Sequence, residues 1–157
     1  MVAVVIGIGN EYRHDDAIGP RIVAELERHA LPGVRAIVAD GEPTALLEMW
    51  TGADLAIVVD AVRCEPSTPG RIWRTTTDDL PVGSGVASSH ALGIPGALQL
   101  GRALDRMPGE LVIFAVEAAD LDLGVGLSRS VAEALPHVVS AVLAELAAEH
   151  ASGGAGC

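Results

Sequence analysis

The sequence predicts an α/β protein: a three-layer α/β/α sandwich with a central, mostly parallel sheet and one antiparallel strand. Short β-branched runs alternate from end to end with longer segments whose apolar residues recur at helical spacing, the pattern of strands joined by helical crossovers. Half of the 157 residues are hydrophobic but only 3% are aromatic, so Val, Leu, Ile and Ala must build the core. Those residues suit helices packed on a sheet buried on both faces. The length fits one domain with a well-buried interior. That domain is expected over 1–150, with A-S-G-G-A-G-C at 151–157 as a disordered tail.

The elements follow in order. Val2 to Ile6 is a continuous β-branched run, read as a buried strand. Ala17 to His29 carries Ile18, Ile22, Val23 and Leu26 at helical spacing, and Leu31-Pro32-Gly33 stops it. Val34 to Ala39 is a second strand. Thr44 to Trp50, after Pro43, is a short helix. Leu55 to Val59 is a third strand ending at Asp60. Arg71 to Thr75 follows it too soon for a helical crossover and is therefore read as antiparallel. Thr76 to Ser89 is polar and Gly-rich, a loop. Ala91 to Asp105 is a helix with Pro95 near its start, Glu110 to Val116 a strand, and Leu127 to His150 a long closing helix. Right-handed crossovers line the strand-to-helix loops along one edge, where ligands bind in such sheets. If the first and third strands are neighbours, Gly7–Asp16, Asp60–Arg63 and Ser88–His90 meet there.

Composition excludes several classes. The formal charge of −11, from 21 acids and 10 bases, repels phosphate backbones, so no nucleic acid is expected. The run M-V-A-V-V-I-G-I-G-N lacks a basic start and reads as a strand rather than a signal peptide. No apolar run approaches the roughly 20 residues of a membrane helix, so no membrane is expected. Cys64 and Cys157 form no metal-type pair and no disulfide framework, which makes a reducing cytoplasm the default location.

The chemistry concentrates in G-I-G-N-E-Y-R-H-D-D-A-I-G-P, Gly7 to Pro20. A dinucleotide fingerprint from Gly7 needs glycine at position 12, where Tyr12 stands, and two acids at a helix start oppose phosphate. Asp15 and Asp16 are open to two readings. One carboxylate caps the helix, for which Asp15 is the choice, and the other faces the cleft. Asp60 ends an apolar strand, L-A-I-V-V-D, and needs donors or a cation; Arg63 is a structural partner for it. His90 follows Ser88-Ser89 and is either a structural helix-start residue or a ligand. His14, in a polar loop, is read as solvated. Glu42 and Glu117 both follow strands and are expected at the same edge. Taken together, two carboxylates and an imidazole from three loops suit a borderline divalent transition metal. No H-E-x-x-H or G-x-S-x-G run is present.

G-I-G-N-E-Y-R-H-D-D-A-I-G, then V-V-D-A-V-R with P-G a few residues on, then S-S-H-A-L-G-I resemble the hydrogenase maturation proteases, from about Val2 to Leu146. These endopeptidases trim the large subunit of nickel–iron hydrogenases. The resemblance implies an α/β/α domain and a metal-recognising trio that carries over by motif to Asp16, Asp60 and His90. Asp16 stands where some members have Glu. It also implies that D-G-E-P-T, with Asp40, Gly41 and Glu42, is a substrate-selecting loop, with Glu42 where Gly is frequent. V-E-A-A-D lacks the Pro that often follows the Glu, a change of loop shape around Glu117.

The implied reaction removes a short C-terminal peptide from a nickel-loaded large-subunit precursor. The nickel is the precursor's own and serves as the recognition signal. A cytoplasmic monomer is the expectation. Two rivals are a non-catalytic nickel-binding or chaperone module of the same fold, and a small-molecule hydrolase on a similar sheet. The second has little aromatic surface to build a base-stacking pocket from, with one Phe, one Tyr and two Trp.

Overall fold

The computed structural model describes residues 1–77, 87–88 and 93–155, with side chains at 87–88 and beyond 148 excepted. Strands β1 (Ala3–Ile8), β2 (Val34–Ala39), β3 (Leu55–Arg63), β4 (Ile72–Thr76), β5 (Ala87–Ser88) and β6 (Glu110–Glu117) alternate with helices α1 (Ile18–His29), α2 (Pro43–Trp50), α3 (Gly93–Ala103) and α4 (Arg129–Ala155). The sheet order is β2-β1-β3-β6-β4, with β5 on β3. β1, β2, β3 and β6 are parallel, and β4 runs antiparallel on β6, as its short connection requires.

The period-two alternation divides the core. Ala3, Val5, Leu55, Ile57, Val59, Val112 and Phe114 face the layer of α1 and α4. Val4, Ile6, Ile8, Ala56, Val58, Leu111 and Ile113 face the layer of α2 and α3. Such double burial explains why β1 and β3 read as unbroken apolar runs.

β1 pairs with β2 on one side and β3 on the other, so the strand order reverses between β1 and β3. The crevice at their C-terminal ends is therefore the switch point of the sheet. α1 reaches it by lying directly on β1. A Cβ on Gly7 would sit 2.2 Å from the Gly19 carbonyl oxygen, and one on Gly19 would sit 2.3 Å from that of Ile8. The two glycines serve this helix–strand crossing, and no phosphate is needed to account for them.

Several boundaries differ from the sequence reading. β3 does not stop at Asp60; it continues to Arg63 because Asp60, Ala61 and Val62 still pair with Ala115, Val116 and Glu117 of β6. Where β1 has ended, β5 takes the vacant side of β3, pairing Val62 with Ser88 and Arg63 with Ala87 antiparallel. Two residues give no periodicity, so the 76–89 stretch reads as loop throughout. A 3-10 turn, His14–Ala17, precedes α1. α3 ends at Ala103, short of the expected Asp105, and α4 runs to Ala155, past the expected end at His150. By length and composition Arg129–Ala148 of α4 could span a membrane, contrary to the expectation that no apolar run is long enough. Its Val131, Ala134, Val138, Val142 and Leu146 are instead packed into the core shared with α1.

Candidate functional site

The crevice between the ends of β1 and β3 gathers acids from two segments. The 3-10 turn packs against β3 and carries Asp15 and Asp16, both fully buried. Asp16 Oδ2 accepts the amide of Asn10 at 2.9 Å. Asp60 is 1% exposed and sits inside β3, not at its tip. Alternation puts it on the face toward α2 and α3, while exposed Arg63 lies on the opposite face. The structural pairing expected between these two is therefore disfavoured by the pleat.

His90 lies outside the described residues. On its N-terminal side, Ser88 is paired to Val62, two residues beyond Asp60. On its C-terminal side, Gly93 meets the backbone of the D-G-E-P loop: a Cβ there would lie 2.3 Å from the Gly41 carbonyl oxygen. Among the described residues no three His, Cys, Asp or Glu side chains are gathered closely enough to hold a metal.

The two acids of the first motif have different surroundings. Asp15 does not cap the helix that follows it; neither the 3-10 turn nor α1 has a side-chain cap. Its carboxylate accepts the amides of Ala119, Asp120 and Ser128 at 2.8, 2.9 and 2.7 Å, and the Ser128 hydroxyl at 2.9 Å. It thus closes the loop between β6 and α4. His14, expected to be solvated, is half-buried on the same loop, with ring Nδ1 3.0 Å from the Gly126 carbonyl oxygen and Nε2 3.9 Å from Asp120. A positive φ of 46° turns it there.

Asp40, Gly41 and Glu42 connect β2 to α2 at the same edge. Asp40 Oδ1 accepts the Glu42 amide. Glu42 caps α2, accepting the amides of Thr44 and Ala45 at 3.0 and 2.9 Å, with Pro43 in the first turn. Those two amide bonds hold the Glu42 carboxyl below its ordinary range.

Glu117 proves more deeply integrated than its lack of a following Pro suggests. It is 1% exposed and pairs in register with Val62, one strand over from Asp60 on the same face. Its carboxylate accepts the Thr68 amide and the Trp73 indole N–H, both at 2.8 Å. Burial pushes Glu117 up, but the Thr68 amide, the Trp73 indole, the Cys64 thiol and the Arg71 charge outweigh it and hold the carboxyl below its ordinary range. Burial pushes the Cys64 thiol up, and the neighbouring Glu117 charge adds to it. Cys64 is therefore a protonated donor at neutral pH. Arg71 lies over the Trp73 ring, 3.9 Å from its centroid. This cluster fastens the loop after β3 to the end of β6.

Comparison with known proteins agrees with this architecture. A family profile described as hydrogenase maturation protease matches residues 20–145. The hydrogenase 2 maturation protease of Escherichia coli is 30% identical over 151 residues, spanning 93% of this chain and 91% of that one. The solved hydrogenase maturating endopeptidase HybD from E. coli superimposes with a TM-score of 0.78 at 26% identity, covering 95% of this chain and 94% of that one. A solution structure of an endopeptidase from E. coli gives 0.82 at 29% identity, covering 93% and 92%. With its switch-point crevice, its acid-bearing first motif and these likenesses, the chain belongs to the hydrogenase maturation protease family.

Proposed function

We propose that this chain is the endopeptidase that removes the C-terminal extension of a nickel–iron hydrogenase large-subunit precursor after nickel insertion. It works in the cytoplasm as a monomer. The observation that carries the reading is the pair of buried carboxylates, Asp16 and Asp60, on contacting segments at the switch point of a maturation-protease fold. Buried acids are costly unless a cation or donors meet them, and they concentrate where chemistry is done.

Asp16, Asp60 and His90 are assigned as the residues that recognise the precursor's nickel. Two carboxylate oxygens and an imidazole nitrogen form a donor set that suits a borderline divalent ion. The nickel is part of the substrate; held by these residues, it would supply Lewis-acid polarisation of the scissile carbonyl. A carboxylate oxygen left free by the nickel takes a proton from the attacking water, and that proton passes to the leaving amine. Water is thus added across one C–N bond, with no other co-reactant. Asp40, Gly41 and Glu42 are assigned to substrate selection, because this capped loop lies against the start of α3 at the same edge.

The test is to incubate purified protein with nickel-loaded precursor and follow the precursor's mass. Wild type removes the extension, whereas Asp60→Asn and His90→Ala leave it in place with unchanged melting temperatures. Normal trimming by both variants would refute the assignment. Binding without any mass loss by the wild type would favour a chaperone instead.

A further inference from the structure

Beside the first motif, the rim of the crevice carries apolar surface that the fold does not use. Tyr12, Leu123 and Val125 are 60%, 82% and 78% exposed. One exposed apolar side chain is ordinary; three on adjoining backbone are a patch. Arg13 and Gly124 form a parallel bridge, with the Gly124 amide donating to the Tyr12 carbonyl at 2.8 Å and the His14 amide to the Gly124 carbonyl at 2.9 Å. That pairing sets Tyr12 alongside Leu123 and His14 alongside Val125.

This ridge is held firmly. Arg13 Nε donates to the Leu121 carbonyl, the His14 ring meets the Gly126 carbonyl, and buried Asp15 gathers the amides of residues 119, 120 and 128. Gly124 has a φ of 153°, which disfavours a side chain, and the His14 ring lies close against it. The buried Asp15 carboxylate and the Arg13 and His14 side chains therefore fix a loop whose outer residues Tyr12, Leu123 and Val125 stay largely exposed. Preorganised apolar surface of this kind is what a docking site requires.

The ridge is continuous with the crevice. The Asn10 side-chain oxygen accepts the Tyr12 amide at 2.9 Å, while the Asn10 amide donates to Asp16 at 2.9 Å. Glu11 and Asp122 are exposed beside it and Asp120 is half exposed, on a chain of formal charge −11. An acidic partner face is repelled there, and an apolar face with a basic border fits.

We propose that Tyr12, Leu123 and Val125 dock an apolar, basic-bordered patch on the body of the large-subunit precursor, beside the extension that enters the crevice. This rests on the endopeptidase reading above. The ridge supplies binding that is equal in ground and transition states, so its loss raises KM and leaves kcat alone.

The experiment compares wild type with the double variant Leu123→Ser, Val125→Ser and with Tyr12→Ser, using purified nickel-loaded precursor. Processing kinetics and calorimetric Kd are both measured, with melting temperature as the fold control. The double variant should raise KM and Kd about tenfold or more, the loss of two buried aliphatic contacts, with kcat within about twofold. Unchanged KM and Kd in every variant overturn the proposal. So does a wild-type dimer that the substitutions dissociate without changing KM, since the ridge then belongs to a second copy. If wild type binds the precursor but leaves its mass unchanged, the endopeptidase reading fails, and the variants' Kd values still decide docking. Absence of both binding and cleavage by wild type overturns both.

Discussion

Replacing Asp15 by alanine removes one carboxylate and strands the four donors that point at it, the amides of Ala119, Asp120 and Ser128 and the Ser128 hydroxyl. The hydroxyl can rotate toward another acceptor; the amides cannot. These bonds are part-buried, so each stranded donor costs toward the low end of about 1–3 kcal/mol, and water recovers part of that. The expected net loss is roughly 3–5 kcal/mol, a large share of the ~5–15 kcal/mol that holds a domain folded. At ~2–4 °C per kcal/mol for a chain of this size, the melting temperature should fall by roughly 10 °C. Asp15→Asn keeps one acceptor oxygen but turns an NH2 group toward N–H donors, so about half of the loss should remain. Urea unfolding with linear extrapolation measures both variants. A loss below about 1 kcal/mol for the alanine variant would show that the loop finds other acceptors, and that Asp15 does not hold it.

Glu117 gives a pH signature. Its folded-state carboxyl lies below the ordinary value of 4.5. Its stabilisation is therefore complete above about 4.5 and is lost as pH falls through the lower folded-state value. Glu117→Gln should be less stable than wild type at pH 7, and the gap in urea midpoint should close on acidification below 4.5; a pH-independent gap would contradict this. Gly19→Ala forces a Cβ to 2.3 Å from the Ile8 carbonyl oxygen. Separating α1 from β1 should cost about 1–3 kcal/mol in thermal unfolding, and an unchanged melting temperature would mean that the crossing is slack.

Apolar periodicity disclosed the layers, since β1 and β3 are buried on both faces and α1 carries a single apolar stripe. The short spacing before Arg71 disclosed the antiparallel β4. The end of β3 was hidden because Asp60 looks like a terminus, although the strand pairs on through Val62. The first motif announced its acids without their division of labour. Asp15 and Asp16 are adjacent in sequence, and what separates them is a set of amides 104 to 113 residues away from Asp15. No local rule reads that distance. His14 was misjudged for the same reason, since Gly124 and Gly126 meet it from the far end of the chain. Glu117 left a fainter signal: an acid ending an apolar strand, antiparallel to a neighbour that offers Trp73.

The long reach of Asp15 bears on when the protein becomes competent during its own synthesis. A ribosome that has finished β3 has already made both Gly7 and Gly19 and both buried acids of the crevice, Asp16 and Asp60. The donors that meet the Asp15 carboxylate begin only at Ala119 and end at Ser128. Until that segment emerges, the Asp15 carboxylate has only water for donors and no loop to close. Late, long-range closure of this kind is slow to form and comes last in N-to-C synthesis. The first motif therefore takes its final form only after Ser128 has left the ribosome, late in synthesis.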